Sequence, residues 1–201
     1  LGKPDGAVPR LSLGAEVYLT DFSDGSAQRA PVIETQQDVR PASVFLLWRS
    51  LAGLQTGIVA GLAVLVFHML DGVLRAESMW SFPNLISSAF FPSRALSVSL
   101  RWETLSGVAL HFLISGLLGL VFSIFLARYL YRPFRCRLIA LFLALVWYYG
   151  ACRFLWPAIN PAVVIFQPFP GMVLGHVLFG VCMGLYPRFV FDLGYLQPPP
   201  A

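Results

Sequence analysis

Three histidines, His68, His111 and His176, lie on three separate hydrophobic stretches of this 201-residue chain. An imidazole can donate or accept a hydrogen bond, ligate a metal or haem iron, and carry a proton. Inside a bilayer it must find a partner, so such a residue marks either the internal glue of a helix bundle or a ligand site. Arg153 is the only Arg or Lys well inside any of these stretches. If consecutive stretches cross the membrane in alternate directions, all four residues come to the same side of the bilayer.

Several chemistries suit that layer. Neutral imidazoles can bridge backbone carbonyls, Ser115, Tyr149 or Asp71 as interhelical hydrogen bonds, each worth about 0.6–2 kcal/mol. Two histidines on facing spans can clamp a b-type haem, and one can hold a chlorophyll magnesium. Arg153 would then be placed for a propionate or a quinone oxygen. Three imidazoles with an open position also suit copper or zinc. A proton path is less consistent, because the spans carry almost no ionisable groups in their other halves and a relay would stop partway. Arg153 can snorkel, or pair with Asp71 or Glu103.

Other activities find no support. The chain has no GxSxG, P-loop or HExxH pattern, so no catalytic motif points to an enzyme. Cys136, Cys152 and Cys182 are an odd set without CxxC or CxH spacing, which implies neither a disulfide framework nor a zinc site. A net charge of +4 suggests anionic lipid contacts. It does not suggest nucleic acid, because the arginines gather at span ends and form no solvated basic face.

The elements that position the histidines follow from composition. The chain is 57% hydrophobic and 12% charged with a mean hydropathy of +0.72, which is the signature of an integral membrane protein. Four stretches near 51–71, 105–129, 138–156 and 171–190 approach the roughly 20 residues that a spanning helix needs. Counted from the expected span ends at Asp71, Leu105 and Gly171, the histidines lie roughly 5–10 Å deep at helical rise. Arginine sets the orientation. The turn between the second and third spans holds Arg128, Arg132, Arg135 and Arg137, whereas the loop 157–170 has no charge, so both termini are expected in the cytoplasm. Arg75, Arg94 and Arg101 in the 72–104 loop run against that rule.

Small residues mark the helix faces that meet, since lipid gives helices no hydrophobic reason to associate. Gly53, Gly57 and Gly61 recur every fourth residue in the first span. Gly107, Ser115, Gly119 and Ser123 do the same work in the second, Ala140 and Ala144 in the third, and Gly180 and Gly184 in the fourth. His111 and His176 fall on these stripes and His68 lies seven residues after Gly61, so all three rings are expected to point towards protein. Gly171 and Gly175 are left for an external helix. Residues 1–45 form a polar arm with one alternating stretch at 13–22 that suits a short strand, residues 46–192 form the membrane domain, and 193–201 are a Pro-rich tail. Within the 72–104 loop a short interfacial helix is expected near 80–91, capped by Ser81. The apolar, proline-stiffened loop 157–170 is expected to fold back over the bundle mouth as a lid.

The segments WSFPNLI at 80–86, LSGVALHFLISGLLG at 105–119 and GHVLFG at 175–180 resemble uncharacterised four-span bacterial integral membrane proteins. The resemblance covers about residues 50–190. It implies a four-helix membrane fold in a bacterial inner membrane and supplies no activity. The chain is therefore read as an all-α four-helix membrane bundle with a mostly irregular N-terminal arm. Its expected role is that of a non-catalytic subunit, packed with other integral membrane subunits and lipids in a larger complex of electron-transfer or photosynthetic type. The alternative is a redox or pigment protein that binds haem, chlorophyll or quinone at His68, His111, His176 and Arg153.

Overall fold

A computed structural model of the chain describes residues 42–94, 96–167 and 169–192. The N-terminal arm, including the strand expected at 13–22, and the Pro-rich tail lie outside the described residues. Helices are α1 (Ala42–Leu74), α2 (Ser81–Ser87), α3 (Trp102–Leu126), α4 (Pro133–Gly150), α5 (Trp156–Ile159), α6 (Ala162–Phe166), α7 (Phe169–Met183) and α8 (Tyr186–Asp192), with no strand among the described residues. Leu46–Leu74, Trp102–Tyr129, Pro133–Ile159 and Phe169–Asp192 are each long and apolar enough to cross a membrane. The protein is a multi-pass, all-α membrane bundle of four spanning segments.

The first, third and fourth spans run past both of their sequence-expected ends and the second past its start alone, because a helix leaving the hydrocarbon needs a stop signal and not merely the end of its apolar run. At the end of α1 the stop is a left-handed Ala76 with φ 57°. The Glu77 N–H donates to the Gly72 carbonyl at 2.8 Å and the Ala76 N–H to the Val73 carbonyl at 3.0 Å, which closes the helix in the Schellman pattern. This conformation costs a non-glycine residue roughly 1–2 kcal/mol. α3 starts where the Arg101 N–H donates to Thr104 Oγ1 at 3.0 Å, and α4 starts with Pro133 in its first turn, where the missing N–H is not needed. Beyond α4 the helix widens into a π turn at Ala151–Leu155. Pro157 follows in the next turn; it cannot donate to the preceding turn and its ring crowds that carbonyl, so a wider turn relieves both.

Small residues decide which helices touch. A Cβ added at Gly57 or Gly119 would run into the backbone of the opposite helix, and one at Gly61 would lie 2.6 Å from Ser115 Oγ. The Gly53, Gly57 and Gly61 stripe of α1 therefore meets Ser123, Gly119 and Ser115 of α3. In the second seam, Gly180 of α7 sits against Leu141, Ala144 and Ala140 of α4. The spatial order is α3, α1, α7, α4, because α1 also packs on α7 while α3 and α4 touch little beyond their joining turn. At the arginine-rich end the row curls shut around Phe122, Leu126, Cys136, Ala140, Phe179, Met183 and Tyr186. Towards the histidine end α3 and α4 diverge.

α2 departs from the interfacial helix expected by sequence. Pro83, Asn84, Leu85, Ile86 and Ser87 are all buried, and the α2 backbone comes close enough to α3 that a Cβ at Gly107 would strike Ser87 N at 2.9 Å. Ser81 does not cap it. Trp80 holds the cap position without a side-chain cap bond, and the Trp80 N–H donates to Ser78 Oγ at 3.2 Å. What secures α2 is Asn84, whose Nδ2 donates to the Ser97 and Ser99 carbonyls at 2.6 and 3.1 Å while its Oδ1 accepts from Thr104 Oγ1 at 2.6 Å. One buried amide thus fastens the helix, the following loop and the start of α3.

Gly119→Leu forces apart the close backbone contact between α1 and α3 and is expected to destabilise the protein by about 3 kcal/mol, the upper range for overpacking. Gly150→Ala, where nothing lies within 4 Å of the added atom, should be neutral or stabilising by up to about 1 kcal/mol. Thermal unfolding of both variants in the same detergent makes the comparison.

Candidate functional site

The divergence of α3 from α4 leaves a cavity of about 90 Å³ at the histidine end, and His68, His111 and His176 all line it. His68 comes from α1, His111 from α3 and His176 from α7, so three spans each contribute one ring. The remaining lining is apolar apart from Ser115 and the indoles of Trp147 and Trp156, and no Asp, Glu, Lys or Arg belongs to it.

Each ring is held by one nitrogen. His111 Nε2 donates to the Gly61 carbonyl at 2.9 Å, a bond across the α1–α3 seam. His176 Nδ1 donates to the Met172 carbonyl one turn earlier in its own helix at 2.8 Å. His68, the most buried of the three at 3% exposure, accepts from Gln167 Nε2 through Nδ1 at 3.0 Å. No hydrogen bond to the second nitrogen of any of the three rings is found among the described residues. Where a carbonyl takes the N–H of an uncharged imidazole, the other nitrogen is an acceptor.

Phe82 organises the rings. It stacks on His68 with centroids 4.1 Å apart and planes 19° apart, and it meets His111 edge-on at 5.7 Å. Gly175 supplies the seat for His68, because a Cβ there would lie 2.5 Å from His68 Nε2. This glycine therefore serves an internal contact and not the external helix expected from sequence. Tyr148, and not its neighbour Tyr149, is the tyrosine of the site, with its ring 5.2 Å from His176. Tyr149 is exposed.

On the far side of His68 and Phe82 lies a second, wider cavity of about 570 Å³, lined also by Arg75, Glu77, Ser78, Ser81, Ser97 and Gln167. Arg75 pairs with Asp71 at 2.9 Å and with Glu77 at 3.6 Å on its rim. The 157–167 segment folds back over the site: Val163 and Trp156 line the inner cavity, and Asn160 Nδ2 donates to Ser88 Oγ at 2.9 Å, tying the segment to the end of α2. His68 and Phe82 form the partition between a polar vestibule and an apolar chamber.

Arg153 is not part of this arrangement. It lies in the π turn, exposed, and lines neither cavity, and Asp71, one of its two expected partners, is taken by Arg75. The polar residue that sequence reasoning missed is Gln167. Its signal was available, because in an apolar, proline-stiffened loop a side-chain amide must be satisfied by something.

The chamber's size limits what it can hold. A cavity of about 150 Å³ is needed to take a benzene, and enclosed sites for drug-sized ligands run to about 300–1,000 Å³. The space between the three imidazoles is smaller than either, so a haem, chlorophyll or quinone ring held there would stand partly outside the chamber or need it to widen. Nor, among the described residues, are any three His, Cys, Asp or Glu side chains grouped to hold a metal ion. A water needs only about 10–15 Å³ of such space, so the chamber suits a few waters or a small polar head.

Gln167→Leu leaves His68 Nδ1 buried without its donor, which should cost about 1–3 kcal/mol. Adding His68→Phe should recover part of that loss, and a double-mutant cycle on thermal unfolding measures the coupling. A further expectation is optical: protein purified from its native membrane should show neither a Soret nor a Qy band. No protein-family model, curated protein or solved structure matches the chain.

Proposed function

We propose that this chain is a non-catalytic integral membrane subunit of a bacterial inner membrane, with both termini in the cytoplasm, that packs beside other membrane subunits in a larger assembly. The supporting observation is the uneven cover of its spans. Within the molecule, 17% of the third span's most apolar window is buried, against 44% for the fourth. α4 leans on α7 along a single small-residue seam, and its opposite side carries Phe142, Val146, Tyr149 and, in the π turn, Phe154, all exposed. Aromatic side chains standing out from a thinly supported helix suit docking against a neighbouring helix, where dispersion and close fit are what lipid-embedded association has to offer.

The orientation rests on the exposed Arg128, Arg132, Arg135 and Arg137 at the α3–α4 turn, set against the uncharged segment at the histidine end. At the cytoplasmic face these arginines meet anionic lipid headgroups.

Extraction from the native membrane in mild detergent, followed by native mass analysis, tests the assembly. The chain should travel with other integral membrane proteins, and recovery only as a solitary 22.2 kDa polypeptide in its detergent micelle would sink the reading.

A further inference from the structure

Three features of the histidine chamber point towards a ligand independently of any assembly. The first is an opening. α1 and α7 close the chamber from behind with buried side chains such as Val64 and Phe179, whereas the wall contributed by α3 and α4 (Ile114, Leu118 and Trp147) is only half buried. Since α3 and α4 pack little beyond their joining turn, the gap between them is where the chamber is least covered.

The second feature is chemical. His111 and His176 each commit one N–H to a backbone carbonyl, so an uncharged ring at either position offers its other nitrogen as an acceptor. No cationic or anionic side chain lines the space. A phosphate or carboxylate head would enter without a counter-charge, which is costly in a low-dielectric site. A hydroxyl, in contrast, has the proton that an imidazole nitrogen accepts.

The third feature is size. A hydroxymethyl head is far smaller than the benzene that occupies a cavity of about 150 Å³, and fits the chamber of about 90 Å³. The chain behind it leaves by the lateral opening. The π turn lies on this wall, with Ala151 and Leu155 both among the lining residues. It widens the helix beside the opening, and π turns inserted in α-helices are frequent at functional sites.

We infer that the chamber between α3 and α4 binds a neutral, hydroxyl-headed lipid, with the hydroxyl donating to His111 or His176 and the hydrocarbon chain passing into the bilayer between α3 and α4. The sealed arginine-rich end makes this a pocket entered from one leaflet and not a path across the membrane.

The test uses the full-length protein in nanodiscs and three photoactivatable probes of equal chain length: a long-chain alcohol, the matching carboxylic acid and the matching phosphate monoester, each with a diazirine in the chain. The alcohol should label peptides containing Ile114, Leu118 and Trp147 about tenfold more than either charged probe. A single hydrogen bond of about 1.4 kcal/mol corresponds to a factor of ten, so the double variant His111→Phe/His176→Phe should lose at least that much labelling. Ile114→Trp, which narrows the opening while keeping all three imidazoles, should reduce labelling to a similar degree and guards against a histidine variant that fails to fold. Equal labelling by all three probes, or labelling by the alcohol that survives in a folded variant of either kind, would overturn the inference. So would absence of labelling by the alcohol.

Discussion

Backbone-to-backbone contact between Gly57 and Gly119 is the constraint on which the rest of the molecule depends. Helices already in lipid gain nothing from hiding apolar surface, and their attraction comes from dispersion at short range together with the few hydrogen bonds that close approach permits. Where α1 and α3 meet without side chains between them, the Gly61 carbonyl comes within reach of His111, one helical turn beyond the last glycine pair. The polar layer is therefore a product of the small-residue seam. With larger residues in the seam, that carbonyl and that imidazole would stand too far apart to bond.

The two seams also dictate where space is left. Glycine and alanine draw α3 onto α1 and α4 onto α7, while the α1–α7 contact sets the two pairs side by side. Large side chains such as Phe122 and Phe179, whose centroids are 6.2 Å apart, fill the gap at one end. At the other end the gap is plugged incompletely by α2 and the 156–167 segment, both held by side-chain amides. Asn84 and Asn160 bind backbone carbonyls and hydroxyls there, and Gln167 binds an imidazole. The chamber is thus closed by polar fasteners at its top, by packed rings at its base, and on its lipid side by part-exposed residues alone.

Much of the bundle was legible in the sequence because the physics of lipid leaves a periodic record. Four apolar stretches, and glycines spaced to face one another, suffice to predict which helix surfaces meet, and the pairing of Gly53, Gly57 and Gly61 with Ser123, Gly119 and Ser115 follows that record residue by residue. The convergence of His68, His111 and His176 was equally readable, since alternation of direction fixes their level. Less legible was everything that depends on azimuth or on non-periodic segments. Arg153 lies at the right height but on an exposed side, in a π turn that breaks the phase by which its direction would be judged. α2 has an interfacial composition, yet a single buried asparagine draws it inside. Gly175 looked like a surface for another helix because composition alone cannot distinguish a groove that receives a helix from one that receives a ring.

The order of the spans in space has a consequence for biogenesis. Each small-residue seam joins spans that follow one another through the chain, α1 with α3 and α4 with α7, so each hairpin can assemble as it leaves the insertion machinery without waiting for the other. The His68 ring, carried by the first hairpin, reaches Gly175, carried by the second, only when the two hairpins come together along α1 and α7. The chamber therefore belongs to neither half and is completed last, making its walls a reporter of whether the two halves have met.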